Sequence, residues 1–422
     1  MSKRKIWLIR DGEILPCDGD NVRLFRMGLI AQICAENPDN EVTWWCGTLN
    51  HFEKKFRMEH DGEIKIKDNY RLKFIHGPGY HKNMSVKRLR HQMYEGKHFV
   101  ELAEKEELPD VILCSMPTPE MAYYATKFAK KHNVPIFVDI RDTFPDMYVD
   151  FCPAKLKPFM KVGIIPYKKM LSSALKRATG IFATSEKFLD WGLNYAKRKK
   201  IDTDKAYYVS YPDNKVELED KDFDFWKDLG IGEDDFVCCF FGQFGFTVDL
   251  ETVMRAAVLT ADKDPKIKYV ICGVGEKLKT YKEIVGDREN VIFPGWVDRV
   301  QICALGELSD AGLLSYKPGK NYENSMPNKF CEYLALKLAL LIQPEGMMLD
   351  FAAKFDCGVH YSNENELAEQ VLRLAADREK TEQMKKNSRR LYEESFCAEK
   401  VYAELVDFIE KHSNQQGERH EV

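Results

Sequence analysis

Four segments hold side chains whose types and spacing could do chemistry on an anionic, hydroxyl-rich substrate. The first runs from Ser315 to Ala335. A helix is predicted to begin near Pro327, since proline suits a first helical turn, with Ser325 and Met326 just ahead of it. Lys317, Lys320 and Lys329 surround that start, next to Asn328. The helix dipole alone disfavours cations there, but an anion seated on the free amides of the helix end accounts for them. Glu332 stands one turn further in. The second segment, Phe241 to Thr252, carries Gly242, Gln243 and Gly245 in a strand-to-helix turn whose amides could hold a phosphate. In the third, Asp139, Arg141, Asp142 and Asp146 cluster at a strand end. Such charges are costly when buried unpaired, so contact with a polar substrate is the simpler reading, above all for Asp142. The fourth is the turn Asp18-Gly19-Asp20-Asn21, where glycine lets backbone approach a ligand. Each segment alone also has an ordinary explanation: solvated loop lysines, a plain turn, an Asp–Arg pair with a helix cap, and an Asp N-cap.

The elements that position these segments follow from periodicity. Short apolar runs recur between helical stretches: Lys5–Ile9, Glu41–Cys46, Arg71–His76, Asp110–Ser115, Pro135–Ile140 and Gly180–Ser185, then Phe236–Gly242, Ile267–Gly273, Asn290–Pro294, Gly312–Ser315, Leu338–Ile342 and Gly358–Tyr361. Continuous Val-, Ile- and Phe-rich runs imply parallel strands covered on both faces. Twelve such strands are too many for one comfortable open sheet, so two doubly wound α/β domains are expected. The boundary is expected between Lys205 and Asp235, at the Pro212 break, dividing residues 1–212 from 213–395. Val401, Leu405, Phe408 and Ile409 recur at helical spacing, so a closing helix over 396–412 needs a surface to cover, and a polar tail over 413–422 is expected to be disordered. In open α/β sheets ligands sit beyond the carboxyl ends of the strands, which is where all four segments fall.

Net charge is -4 across 422 residues, which argues against a general nucleic-acid binder. The twelve cysteines are scattered with no C-x-x-C, and no apolar stretch has the length of a membrane span, so a cytoplasmic protein is expected. No His/Cys ligand spacing is present, and the one D-x-D match is Asp18-Gly19-Asp20, so no metal site is expected. From Cys152 to Ala178 there are seven Lys or Arg and no acid. Phe159, Lys161, Ile164, Ile165 and Lys168 lie in this stretch, and basic plus apolar is the signature of a segment resting on an anionic membrane surface.

In order, these segments resemble the retaining glycosyltransferases of family 4, which have the GT-B fold. The resemblance is carried by Phe241-Gly242-Gln243-Phe244-Gly245, by Gly273-Val274-Gly275, by Asn290 through Gly295-Trp296-Val297, and by Ser325-Met326-Pro327-Asn328-Lys329 through Glu332-Tyr333-Leu334-Ala335. The N-terminal half is similar to a bacterial subgroup that builds O-antigen and capsule, through Pro16–Asn21, Arg23–Gly28, Val42–Trp45 and Arg141-Asp142. The resemblance implies transfer from a nucleotide-diphosphate sugar, UDP-type, to a glycan or polyprenyl-linked acceptor, with retention and without a metal or other cofactor. It implies that Glu332 holds the donor ribose, while the charges of the first domain, Asp142 above all with Arg141, suit a catalytic role in orienting the acceptor hydroxyl. The chain departs from the family in having Asn324 where the first of two glutamates usually stands, and Gln243 and Phe244 where Arg and Lys often grip the diphosphate. Two other classes fit the same pattern: a nucleotide-sugar epimerase of this fold, and a non-catalytic nucleotide-sugar-binding protein.

Overall fold

In the computed structural model the chain divides into two compact units, Met1–Tyr208 with Glu399–Val422, and Val209–Ala398. The structure describes residues 3–417 except 20–21, 83–84, 151, 214–215, 246 and 318, with backbone only at 320–321 and 414–417. The division thus falls at 208–209, ahead of the Pro212 break.

Unit 1 holds an eight-stranded sheet of β1 (Arg4–Ile9), β2 (Asn40–Gly47), β3 (Gly62–Lys67), β4 (Tyr70–Ile75), β5 (Val111–Met116), β6 (Ile136–Ile140), β7 (Gly180–Ala183) and β8 (Lys205–Ala206). Their spatial order is β8-β7-β6-β5-β1-β2-β4-β3. All neighbours are parallel except β3, which pairs antiparallel with β4 at the edge. Ile6 of β1 pairs with Val42 on one side and Val111 on the other. The strand order reverses there, so the crevice beyond the carboxyl ends of β1 and β5 is this sheet's switch point.

Between β1 and β7 the helices α1 (Arg26–Glu36), α2 (Val86–Ala103), α3 (Pro119–His132), α4 (Lys157–Gly163) and α5 (Ile165–Arg177) intervene, and α6 (Glu186–Ala196) follows β7. Helices α2, α3, α5 and α6 pack side by side over one face. The core beneath them centres on Trp7, which meets Trp45 edge-on at 5.1 Å and stacks on Phe128 at 5.6 Å. Side chains alternate along a strand, so Phe137 and Phe182 point away from that core. The closing helix covers them: Phe408 lies 5.9 Å from Phe137 and 5.8 Å from Phe182, with Leu405 and Ile409 fully buried. This helix spans Ala398–Gly417, so it continues past His412 into the stretch read as a disordered tail. Residues 418–422 lie outside the described residues.

Unit 2 holds six parallel strands: β9 (Phe236–Phe241), β10 (Ile267–Cys272), β11 (Val291–Gly295), β12 (Ala311–Leu314), β13 (Ala339–Ile342) and β14 (Gly358–His360), in the order β11-β10-β9-β12-β13-β14. Helices α7 (Leu250–Ala261) and α8 (Asn328–Ala335) lead away from the turns after β9 and β12. Every residue of β9 is buried, as a central parallel strand requires. All twelve apolar runs read from the sequence are strands, and the two doubly wound parallel sheets stand as expected. Among the described residues, that reading missed β3 and β8 and the short antiparallel pair Leu49–Asn50 and Lys55–Phe56. The alternating exposure of β3 marks an edge strand with one solvated face, not an apolar run.

Candidate functional site

The carboxyl ends of β9, β10 and β11 are tied together backbone to backbone. Gly242 N–H donates to Cys272 O at 3.0 Å, Gly273 N–H to Gly295 O at 2.7 Å, and Phe244 N–H to Val274 O at 3.0 Å. A β-carbon on Gly273 would lie 1.9 Å from Gly242 O, and one on Gly275 2.6 Å from the Phe244 β-carbon, so glycine is obligatory at both positions. Gly245 has open space where a side chain would project. Gln243 is exposed, whereas Phe244 is buried against Tyr281 at 5.6 Å. Phe244 therefore anchors the turn, whose Gly245 amide donates to Gln243 O at 2.9 Å. Trp296 follows Gly295 and is 73% exposed, while the next residue, Val297, is buried.

Helix α8 begins at Asn328 with Pro327 at the N-cap. Pro327 makes no side-chain cap bond, and the first amides of a helix have an affinity for anions. Met326 is buried and anchors the loop, and Asn328 is exposed. Lys329 reaches back to the β9 turn: its Nζ would lie 2.6 Å from a β-carbon at Gly242, and it sits 5.1 Å from the Phe240 ring centre. Glu332, one turn along, is 3% exposed. Tyr316 and Tyr322 stack at 4.4 Å across the intervening loop, and Tyr322 donates to Thr247 at 2.8 Å. The structure thus brings Gly242, Gly273, Gly275, Pro327 and Lys329 into one set of strand-end and helix-start turns. The backbone of Lys320 opens the short helix Lys320–Asn324, next to Ser325, which is its C-cap. The Lys320 side chain is outside what is described.

On unit 1, the four charges at and after the end of β6 separate by role. Asp139 is fully buried in a two-bond pair with Arg26, at 3.0 and 2.9 Å. Asp146 accepts from Trp191 and Tyr195, each at 2.9 Å, and meets Lys168 at 2.6 Å. Both are consumed by structure. Arg141 is paired with Glu13, which also accepts from the Met27 amide at 3.2 Å and draws in Arg10 at 3.6 Å. Burial raises the Asp142 carboxyl above its usual range, while Arg141 and Arg10 oppose that shift. Asp142 is therefore the acid of the four beside two guanidiniums yet not locked into a structural pair. Asp18 is held by Arg57 at 2.5 and 2.6 Å and accepts from the Leu15 amide at 2.9 Å, so it and Gly19 shape the first loop. Asp20 and Asn21 lie outside the described residues.

The sequence reading missed a second group on this face. Asp11 follows β1, and His91 and Glu95 stand one turn apart on α2. A ligand atom from each lies within 4.8 Å of the others, a spacing a metal ion could use. His91 Nε2 and Glu95 Oε1 face each other at 3.2 Å, both buried and out of hydrogen-bond alignment. The Gly79 amide donates to His91 Nδ1 at 3.2 Å, which puts the proton of the neutral ring on Nε2 and removes the lone pair a metal would need. Burial, then the Asp11 carboxylate, pushes the Glu95 carboxyl up to about 7. The group is therefore a proton-holding cluster. Gly47 leaves room for it, since a β-carbon there would sit 2.5 Å from both Asp11 Oδ1 and Glu95 Oε1. Nearby, burial first, then Lys54 and Arg88, takes the His51 imidazole down to about 4. The i,i+4 His91/Glu95 spacing was visible in the sequence; their burial was not.

The basic stretch also divides. Phe159 and Lys161 are exposed, as is Ile165 at the start of α5. Ile164 is not a surface contact. It is 3% exposed, because the chain breaks between α4 and α5 and turns this one residue inward. Lys168 is partly neutralised by Asp146.

Residues 221–391 match the family described as Glycosyl transferases group 1. No curated protein matches the chain. Among solved structures, HepE of Anabaena in complex with UDP is similar over 97% of this chain and 100% of that one, at 12% identity and TM-score 0.66. Sucrose-phosphate synthase of Thermosynechococcus elongatus is similar over 97% and 99%, at 12% identity and TM-score 0.68. The α,α-trehalose 6-phosphate synthase of Burkholderia multivorans is similar over 99% and 100%, at 10% identity and TM-score 0.69. The chain has the GT-B fold of these proteins, and the segment that matches the glycosyl transferases group 1 family lies in its second unit.

Proposed function

We propose that this protein is a glycosyltransferase that moves a sugar from a nucleotide-diphosphate sugar to an acceptor hydroxyl. The observation that carries the reading is the unit 2 site: glycine turns knitted at the ends of β9 and β10, with Lys329 and the start of α8 beside them, inside the segment that matches a glycosyltransferase family. A UDP-type donor is favoured, in line with the UDP and UDP-glucose bound to HepE. The acceptor we assign is a growing glycan or a polyprenyl-linked sugar of a cell-surface polysaccharide. Retention, and chemistry without a metal or cofactor, follow from the family 4 resemblance.

In the transfer, the bond from the anomeric carbon to the diphosphate breaks and a bond to the acceptor oxygen forms, while the hydroxyl proton leaves. Positive charge grows on the sugar and negative charge on the diphosphate, so groups that strengthen their hold on that charge lower the barrier. Lys329, the α8 amides and the turn after β9 suit the leaving diphosphate. Glu332 suits the ribose diol, and Asp142 suits the acceptor hydroxyl.

Thermal shift against a panel of UDP-, GDP-, ADP- and TDP-sugars tests the donor, because a ligand of the folded state raises the melting temperature. A UDP-sugar is expected to raise it most. No shift with any of them overturns the reading. Incubation with the donor alone separates a transferase from an epimerase, which would convert it without an acceptor.

A further inference from the structure

A groove of ≈ 590 Å³ lies in unit 1 between α5 and the end of α6. Lys168, Lys169, Lys176 and Lys197 line it, and no acid does. Lys168 is held by Asp146, but among the described residues Lys169, Lys176 and Lys197 make no ion pair. Ile165, at the mouth, belongs both to the groove and to an apolar surface beside it. That surface is Leu156, Phe159, Val162 and Ile165, which are 54%, 76%, 66% and 44% exposed. Lys155 and Lys161 flank it, both exposed.

A soluble anion would use the lysines and leave Phe159 and Val162 in water. An apolar protein partner would bury Phe159 and leave the lysines uncompensated. A surface with phosphates above hydrocarbon satisfies both at once. We infer that this face docks on an anionic phospholipid bilayer, with the apolar side of α4 entering the interface and a headgroup phosphate lying in the lysine groove. The inference stands on these residues alone and does not depend on the transferase reading. It also narrows the basic stretch to particular side chains: Ile164 takes no part, while Lys169, Lys176 and Lys197 do.

The test is sedimentation of the full chain with vesicles of phosphatidylcholine alone, and of phosphatidylcholine with phosphatidylglycerol. Binding is expected to the mixed vesicles only, and it weakens as salt is added. Replacing Lys169, Lys176 and Lys197 together by Gln lowers that binding about tenfold or more. Phe159→Ser with Val162→Ser does the same, and both variants melt like the parent. A control replaces Lys380, Lys385 and Lys386 of unit 2 by Gln, with the same change in net charge. An equal loss in the control overturns the groove assignment. Equal binding to both vesicle types, or binding to neither, overturns the docking. So does an inorganic phosphate site, seen as a phosphate-dependent rise in melting temperature that the triple variant loses, in a protein that binds no vesicle.

Discussion

Lys329 and Gly242 occupy each other's space: a β-carbon at position 242 would stand 2.6 Å from the lysine Nζ. The backbone of Gly242 has φ +145°, a conformation side chains rarely adopt. Gly242→Ala therefore strains the turn and displaces the ammonium together, with a stability cost of roughly 1–3 kcal/mol. Affinity for UDP is expected to fall in Gly242→Ala and in Lys329→Met, which keeps the stem and removes the charge. Calorimetric titration with UDP reads both. Unchanged affinity in Lys329→Met would take the lysine out of the donor site.

Glu332→Gln separates a ribose ligand from a structural acid. A carboxylate can accept from both hydroxyls of a ribose diol, and a hydrogen bond to a charged group contributes about 1.5–3 kcal/mol. Donor and UDP affinities are expected to fall by that amount while the melting temperature of the free protein changes little. A lower melting temperature with unaltered affinity would make Glu332 a buried structural acid.

Asp142→Asn and Asp146→Asn are predicted to fail in different ways. Asp146 receives Trp191, Tyr195 and Lys168, so its substitution costs about 1.5–3 kcal/mol of stability, the range for a hydrogen bond to a charged group. Among the described residues Asp142 has no such partners, so its substitution is expected to cut turnover by about a hundredfold or more at near-parent stability, as for a catalytic proton-transfer group. Denaturation and product formation, measured on the same preparations, decide between them. A fully active Asp142→Asn protein would leave that carboxylate without a role on the acceptor side.

Glu95 predicts a pH dependence of stability. Its carboxyl is raised from an ordinary 4.5 to about 7 by burial and by Asp11, with His91 opposing. A carboxyl raised in the fold is harmless below 4.5, where both states are protonated. Its contribution is lost as the pH climbs through about 7, because the folded state resists giving up the proton. His91, also raised, acts in the same direction. Against Glu95→Gln, which cannot ionise, the parent should lose up to roughly 3 kcal/mol between pH 4.5 and 8. The groups that interact with Glu95 are Asp11 after β1, His91 on α2, Tyr80 before α2 and Cys46 on β2, and Arg88 acts on His91. His91 is raised by Glu95 itself, so the difference between the two proteins reports the Glu95–His91 pair. Urea denaturation of the pair across that range measures it, and a difference independent of pH would show that Glu95 holds no proton.

The sequence by itself determined where the sheets are. Strands such as Phe236–Phe241 and Val111–Met116 are covered on both faces, so they must be apolar without interruption, and that pattern is legible in one dimension. It also located the glycine turns after β9 and β10, because Gly273 and Gly275 stand against backbone where a β-carbon would lie and Gly242 has φ +145°. Tertiary structure decided what each charge is for. Asp139, Asp142 and Asp146 look alike along the chain, yet Arg26 lies opposite the first and Trp191 with Tyr195 opposite the third. Those partners arrive from helices far away in sequence, and periodicity says nothing about which strand end they meet. The same holds for Asp11 and Glu95, joined only because β1 and β2 are neighbours and α2 crosses beside them, and for Ile164 and Ile165, adjacent residues that a helix break sends to core and surface.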